Sequence, residues 1–324
     1  MKQQNKLHAA RAAVQSPGDS FEPLGEQHAK TSTGRRTALA NWIASDNNPR
    51  TARVAVNHIW NRHFGQPLVA TTENFGLNGR KPTHPALLDW LAAELIDNDW
   101  RMKPIHRQIV LSAAYRMSTR SSSSEDLMKD PQNIYFWRMN SRRMEAEVVR
   151  DSVLYLSGQL DLTRGGPEIP ETDGENILRR SMYFRNTPNE KMDMLEVFDV
   201  ADPNSCYRRK ESVVPHQSLA MMNSGLTLDS ARIIAAKLSE AAETDDAFVR
   251  LAFEAVLSRS PSRNELARCQ TFLQDHAELL ANDNSEKFIG SSTAKRAPAT
   301  AADARARENL IHVLLLHNDF VTVR

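Results

Sequence analysis

The sequence predicts a mainly α-helical protein, an irregular multi-helix fold with a loop-rich middle segment that carries short strands. Apolar residues recur every three or four positions over most of the chain, which is the helical period. Residues that start and stop helices bracket those stripes. Between about 161 and 215 the period vanishes while glycine and proline accumulate.

Residues 1–34 are polar, contain Pro17, Gly18, Pro23, Gly25 and Gly34, and read as a tail or linker. A single helical domain is expected over 35–324, with a first helical part (35–160), the irregular segment (161–215) and a second helical part (216–324). Leu39, Trp42 and Ile43 form one stripe. Val56, Ile59, Trp60, His63 and Phe64 form a second, which Gly65 ends. Pro67, Gly76 and Gly79 mark a loop. Thr83 and Pro85 open the next helix, because proline loses nothing in a first turn whose N–H groups lack partners. Leu87, Leu88, Leu91 and Leu95 are its core face, and Ile105, Ile109 and Ala113 mark another helix after Pro104. The longest helix is expected over Ser141 to about Gln159, with Val149, Val153, Leu156 and Leu160 on one side.

Gly165, Gly166, Pro167 and Pro170 break that pattern, and short strands are expected around Met182–Phe184. Loops of this length inside a compact domain are uncommon and often functional. Helices resume near His216, with Ala231, Ile234, Ala235 and Leu238 on one face. Thr244 before Asp245 and Asp246 suits a helix start, since carboxylates complement its positive end. Ser262 and Glu265 fit a capping box. Asn282–Asp303 is poor in large apolar residues and is expected to be a flexible insertion. A last helix over Arg305–His317 and a terminal strand at Phe320–Val323 complete the chain.

With 41 basic and 40 acidic residues, the net charge of +1 leaves no basic excess for binding nucleic acid by counterion release. Two cysteines, Cys206 and Cys269, permit at most one bridge and exclude a disulfide-rich scaffold. There is no Gly-x-Ser-x-Gly elbow, phosphate-binding loop, His-Glu-x-x-His or Cys-x-x-Cys-His. No run is apolar and long enough to span a membrane. Residues Met1–Val14 lack the apolar stretch of a secretory leader.

A series of spaced motifs carries a family resemblance. It begins with Arg53-Val54-Ala55-Val56-Asn57-His58-Ile59-Trp60 and His63-Phe64-Gly65. Thr72-Glu73-Asn74-Phe75-Gly76, Thr83-His84-Pro85, Asp89-Trp90-Leu91 and Ser112-Ala113-Ala114-Tyr115-Arg116 follow. Then come Arg143-Met144-Glu145-Ala146-Glu147, Arg150-Asp151, Gly165-Gly166-Pro167, Arg180-Ser181-Met182-Tyr183, Phe198-Asp199 with Asp202, and Gln217-Ser218-Leu219 with Asn223. In this order they resemble the planctomycete domain of unknown function 1553, from about residue 35 onward. His58 stands where that family usually has arginine, and Asn282–Asp303 is a further departure. The resemblance implies an exported or periplasmic protein in which a cytochrome-c-like haem module and another domain precede this one. The chain is then expected to be a C-terminal part of that layout, with no cofactor of its own and any haem in the preceding module. The family brings no activity, so it assigns no residue a catalytic role.

Four clusters are candidates for chemistry. Arg53, Asn57, His58, Trp60 and His63 share one helix, and Asn57, His58 and Trp60 are ligand-binding candidates against a plain packing role. Glu147 and Asp151 lie one turn apart, but the residue three after Glu147 is Arg150 rather than the histidine of a carboxylate di-metal site, so ion pairs with Arg143 and Arg150 are the alternative. Asp199, Asp202, Cys206, Arg208 and Arg209 sit together in the irregular segment, and Asp199, Asp202, Cys206 and Arg208 are the catalytic candidates. Arg179 and Arg180, with Arg142 and Arg143, could fork onto an anion. Met192, Met194, Met221 and Met222 read as packing, since no haem-attachment motif accompanies them. No metal site is expected. Two functions compete: an interaction module for the cytochrome-c-like and associated domains, and an enzyme or binding protein for a sulfated or acidic polysaccharide.

Overall fold

The structure is a computed structural model and describes residues 2–15, 31–120, 124–205, 209–282 and 294–323. It is mainly α-helical, and the chain divides into two compact units, 1–52 and 53–324. The sequence placed its division after residue 34.

The first unit contains α1 (Lys2–Gln15), within the stretch read as a tail, and α2 (Arg35–Ile43). Helix α2 buries no residue and leaves Leu39, Trp42 and Ile43 exposed. Buried Asn48 organises the turn that follows. Its Oδ1 accepts from the N–H groups of Arg50 (3.0 Å) and Thr51 (3.3 Å), and its Nδ2 donates to the Trp42 carbonyl (3.3 Å). This satisfies N–H groups that a helix start leaves without partners.

In the second unit, α3 (Thr51–Phe64) from Arg53 onward, α4 (Pro85–Asp97) and α5 (Met102–Leu111) turn Val56, Ile59, Trp60, Phe64, Leu88, Leu91, Leu95, Ile105 and Ile109 inward. Trp60 stacks on Phe64 at 4.1 Å between ring centroids, and Phe136 meets Trp60 edge-on at 5.2 Å. Gly65 ends α3 with a positive φ of 71°, a conformation that would strain any residue with a Cβ. A short helix α6 (Ser124–Lys129) follows.

The rest of the unit is built on α7 (Ala146–Ser157), which packs on α10 (Gly225–Ala241). Helix α10 lies on α13 (Ala302–Leu315), and α11 (Asp245–Leu257) and α12 (Arg263–Asn282) complete the bundle. Two short helices, α8 (Asp193–Val197) and α9 (Pro215–Asn223), connect α7 to α10. Val149, Val153, Leu154, Phe248, Val249, Ala252, Ile311 and Leu315 are fully enclosed in one core. The expected starts are realised. The Thr244 hydroxyl accepts from the Ala247 N–H at 3.2 Å, and Ser262 and Glu265 exchange both bonds of a capping box at 2.8 and 3.3 Å.

Three expectations need correction. The helix foreseen from Ser141 begins at Ala146, because Arg142–Arg143 form a strand, β1, paired antiparallel with β2 (Thr322–Val323) in the register Arg142–Val323 and Arg143–Thr322. The strands foreseen at Met182–Phe184 are a 3-10 turn over Ser181–Tyr183, with isolated bridges at Ile169–Phe184 and Asp161–Arg179. Among the described residues no strand continues beside these bridges, so local β propensity has nothing to pair with. Residues 283–293 of the expected insertion lie outside the described residues, while α13 begins inside the insertion, at Ala302.

Candidate functional site

The middle segment is organised by one buried arginine. Arg150 occupies an interior position of α7, among Ala146, Val149, Val153 and Leu154, and has no solvent exposure. Its Nη1 donates to the Arg179 carbonyl (2.9 Å) and the Ser181 hydroxyl (3.3 Å), and its Nη2 to the carbonyls of Gly174 (2.8 Å) and Ile177 (2.6 Å). The guanidinium also lies 4.8 Å from the centre of the Phe184 ring. Burial pushes its pKa down to about 10 against the opposing pull of Asp151, so it keeps its charge at neutral pH. Asp151, the next residue, accepts from the N–H (2.8 Å) and hydroxyl (2.7 Å) of Ser181 and from Arg180 Nε (3.3 Å). A Cβ on Gly174 would come 2.4 Å from Met192 Cε, so a larger residue here would require the Met192 side chain to shift.

A second polar network joins motif residues that are far apart in sequence. Glu147 grips Arg209 with both oxygens, at 2.9 and 3.0 Å, and Glu145 stands 3.6 Å from the same guanidinium. Arg62 of α3 bonds to Glu145 from the other side. Burial works against the charge of Arg209, but the hydrogen bonds and charges of Glu147 and Glu145 outweigh it and hold the guanidinium above its ordinary range. Beside this chain, Arg143 donates to the side-chain oxygens of Gln217 (2.5 Å) and Asn318 (2.6 Å). Gln217 Nε2 donates to the carbonyls of Val197 (3.2 Å) and Ser212 (3.1 Å). Ser212 closes the network by donating its N–H (2.7 Å) and hydroxyl (2.6 Å) to Asp199 Oδ2. Asp199 itself takes a left-handed φ of 60°.

The candidates therefore separate. Asp199 is engaged by Ser212, whereas Asp202 accepts from the N–H of Asn204 at 2.9 Å in an exposed turn. Cys206 and Arg208, and with them the question of a Cys206–Cys269 bridge, lie outside the described residues. Burial, with the charge of Glu265, pushes the Cys269 thiol up, away from the reactive thiolate. Arg179 donates to the carbonyls of Thr163 (2.9 Å) and Gly165 (2.6 Å) and stacks 4.0 Å from the Tyr183 ring centre. Arg180 is half exposed. Asn57 is fully buried and bonds to both the N–H (2.8 Å) and carbonyl (3.2 Å) of Val69, which fixes the loop after α3. Trp60 is core, with its indole N–H unpaired, and His58 is half-buried, its pKa lowered by burial and then by Arg62. Glu147 and Asp151 pair with Arg209 and Arg180, and Asp151 also stands 3.9 Å from Arg150. Among the described residues, no three His, Cys, Asp or Glu side chains are grouped to hold a metal ion. The sequence underrated Arg150. Its signal was an arginine inside the apolar stripe of α7, where a charge is costly unless it is fully paired.

An open groove of about 650 Å³ runs along α7, between the end of α11 and β2. Val148, Tyr155, Leu156, Leu160, Phe320 and Val323 give it an apolar lining. Asp151 and Arg180 lie on one rim, already bonded to each other. Arg259 and Asp319 lie on another, paired at 2.8 Å, and Arg259 also grips Glu265 at 2.6 Å. These contacts hold the Glu265 carboxyl down at about 2 and raise Arg259. The rim charges are thus neutralised within the protein, and the exposed side chains in the groove are chiefly apolar.

The motifs that converge here identify the protein's relatives. The family described as a protein of unknown function, DUF1553, matches residues 35–273. The chain belongs to this family. The match begins at the first residue of α2 and ends within α12, so it takes in the Arg150 network whole and the second network apart from Asn318. No curated protein and no solved structure matches the chain.

Proposed function

We propose that this DUF1553 domain is a helical interaction module that docks the cytochrome-c-like and associated domains of planctomycete exported proteins. The groove along α7 would receive an apolar segment of such a domain, and any haem would belong to the docked module. The observation that carries this reading is the groove's combination of an apolar lining with rim charges that already have internal partners. Such a surface gains free energy by covering Val148, Tyr155 and Leu156, and offers few unpaired charges to a polar ligand. The polar networks support the same reading, because Glu147, Asp199 and Arg179 are spent on ordering the segment beside the groove.

Calorimetric titration of the full chain with a cytochrome-c-like domain of this layout tests it. Binding is expected, and Val148→Asp together with Tyr155→Ala, both at exposed positions, should weaken it by roughly tenfold or more, about 1.4 kcal/mol. Absence of binding, or equal binding by the variant, defeats the reading. Binding of a sulfated or uronic polysaccharide instead, weakened by Arg180→Ala, would favour the ligand-binding alternative.

A further inference from the structure

Two histidines outside the polar networks face each other. His63, next to last in α3, and His106 of α5 meet through Nε2 and Nδ1 at 2.8 Å. Their ring centroids are 5.0 Å apart, a separation that sets the two nitrogens nearly head on. Two imidazoles chelating one metal ion would aim both lone pairs at a third point. Here each nitrogen is aimed at the other, and a single ring proton fits between them. The Tyr115 ring, centred 5.5 Å from that of His63, stands edge-on to it. The charged groups acting on His63 are His106 from α5 and Arg142 from β1, with no carboxylate among them. Arg62, one residue back on α3, is engaged with Glu145 of the second polar network.

We propose that His63 and His106 form an acid-sensitive latch, which fastens the end of α3 to α5 and thereby governs the link from Arg62 through Glu145 to Arg209. The proposal does not depend on what occupies the groove. One proton added to the neutral pair can sit on an outer nitrogen and leave the shared bond intact. A second must sit on the accepting nitrogen, where two N–H groups then confront each other and two like charges stand beside Arg142. No carboxylate is among the charged groups acting on His63, so the doubly protonated pair parts. The end of α3 then loosens, and Arg62 moves with it.

The sign follows from linkage. Burial, then His106 and Arg142, lower the pKa of His63 in the folded state. The unfolded chain therefore binds more protons in acid. The latch's stabilisation is present above the free imidazole value of about 6.5 and is lost as pH falls below it.

The test is thermal unfolding of the full chain between about pH 7.5 and 5.5, for the wild type, His106→Gln and His63→Gln. Glutamine can keep a neutral hydrogen bond and takes up no proton. The wild-type melting temperature should fall across this range, and each variant should remove at least about a third of the fall. Protection of the amides over residues 60–66, taken relative to their intrinsic exchange rates at each pH, should fall in acid in the wild type alone. A fall of equal size in wild type and variants overturns the proposal. So does a zinc- or copper-induced rise in melting temperature that only the wild type shows, since that makes the pair a metal site. Should the variants fail to fold, the imidazole nitrogen shifts of the wild type decide. Coupled titration of the two rings supports the latch, and independent titration refutes it.

Discussion

In the bundle of α10 to α13, the interior is Phe248, Val249, Ala252, Ile311 and Leu315, all fully buried. In the segment between α7 and α9, the central buried group is the guanidinium of Arg150. The bundle satisfies its backbone within its helices and is held by apolar contact, which is additive and non-directional. The segment has few backbone partners of its own, so its carbonyls must find donors elsewhere. One arginine, with five N–H groups in a fixed fork, supplies several at once. A region without a period can therefore still be specified, provided a neighbouring helix lends it a charged side chain beside the few apolar groups it buries, such as Ile169, Phe184 and Phe198.

Three substitutions break or sharpen this contrast. Phe248→Ala should cost the most, about 3–5 kcal/mol, and should lower the denaturant midpoint for the whole second unit in one transition. Arg150→Met should cost about 3 kcal/mol, because it keeps the bulk of the side chain but strands three carbonyls. Its effect should be local as well. Limited proteolysis should cut within 161–190 while helical circular dichroism is retained, and a variant as resistant as the wild type would erase the distinction between the two regions. Ser262→Ala should cost only about 1 kcal/mol, the usual worth of a cap, with no change in proteolysis of the middle segment.

The bundle was legible because its information is local. Thr244, Ser262 and Glu265 act within a few residues of themselves, and the helix starts they mark are the ones the bundle uses. The start of α7 was misread because the fate of Arg142 and Arg143 is decided by Thr322 and Val323, which no local period can reveal. The second polar network was only half legible. Glu145, Glu147, Asp199, Arg209 and Gln217 appeared in separate motifs and clusters, but periodicity could not pair Glu147 with Arg209 rather than Arg143, or assign Asp199 to Ser212. Likewise, Asn57 and Arg179 are residue types that recognise ligands and backbone equally well, and here their partners are the backbone of Val69, Thr163 and Gly165.

The pairing of β1 with β2 bears on how the chain acquires its structure. Arg142 and Val323 meet only after every helix of the bundle lies between them in sequence. Contacts of such wide separation form late, since a large loop must close before they repay it. On the ribosome, α3 to α7 would emerge with β1 unpaired and the groove without its β2 wall. Until β2 has emerged, the side chains of Met144 and Val148 face an unfinished surface, and that interval is when a chaperone would have most to protect.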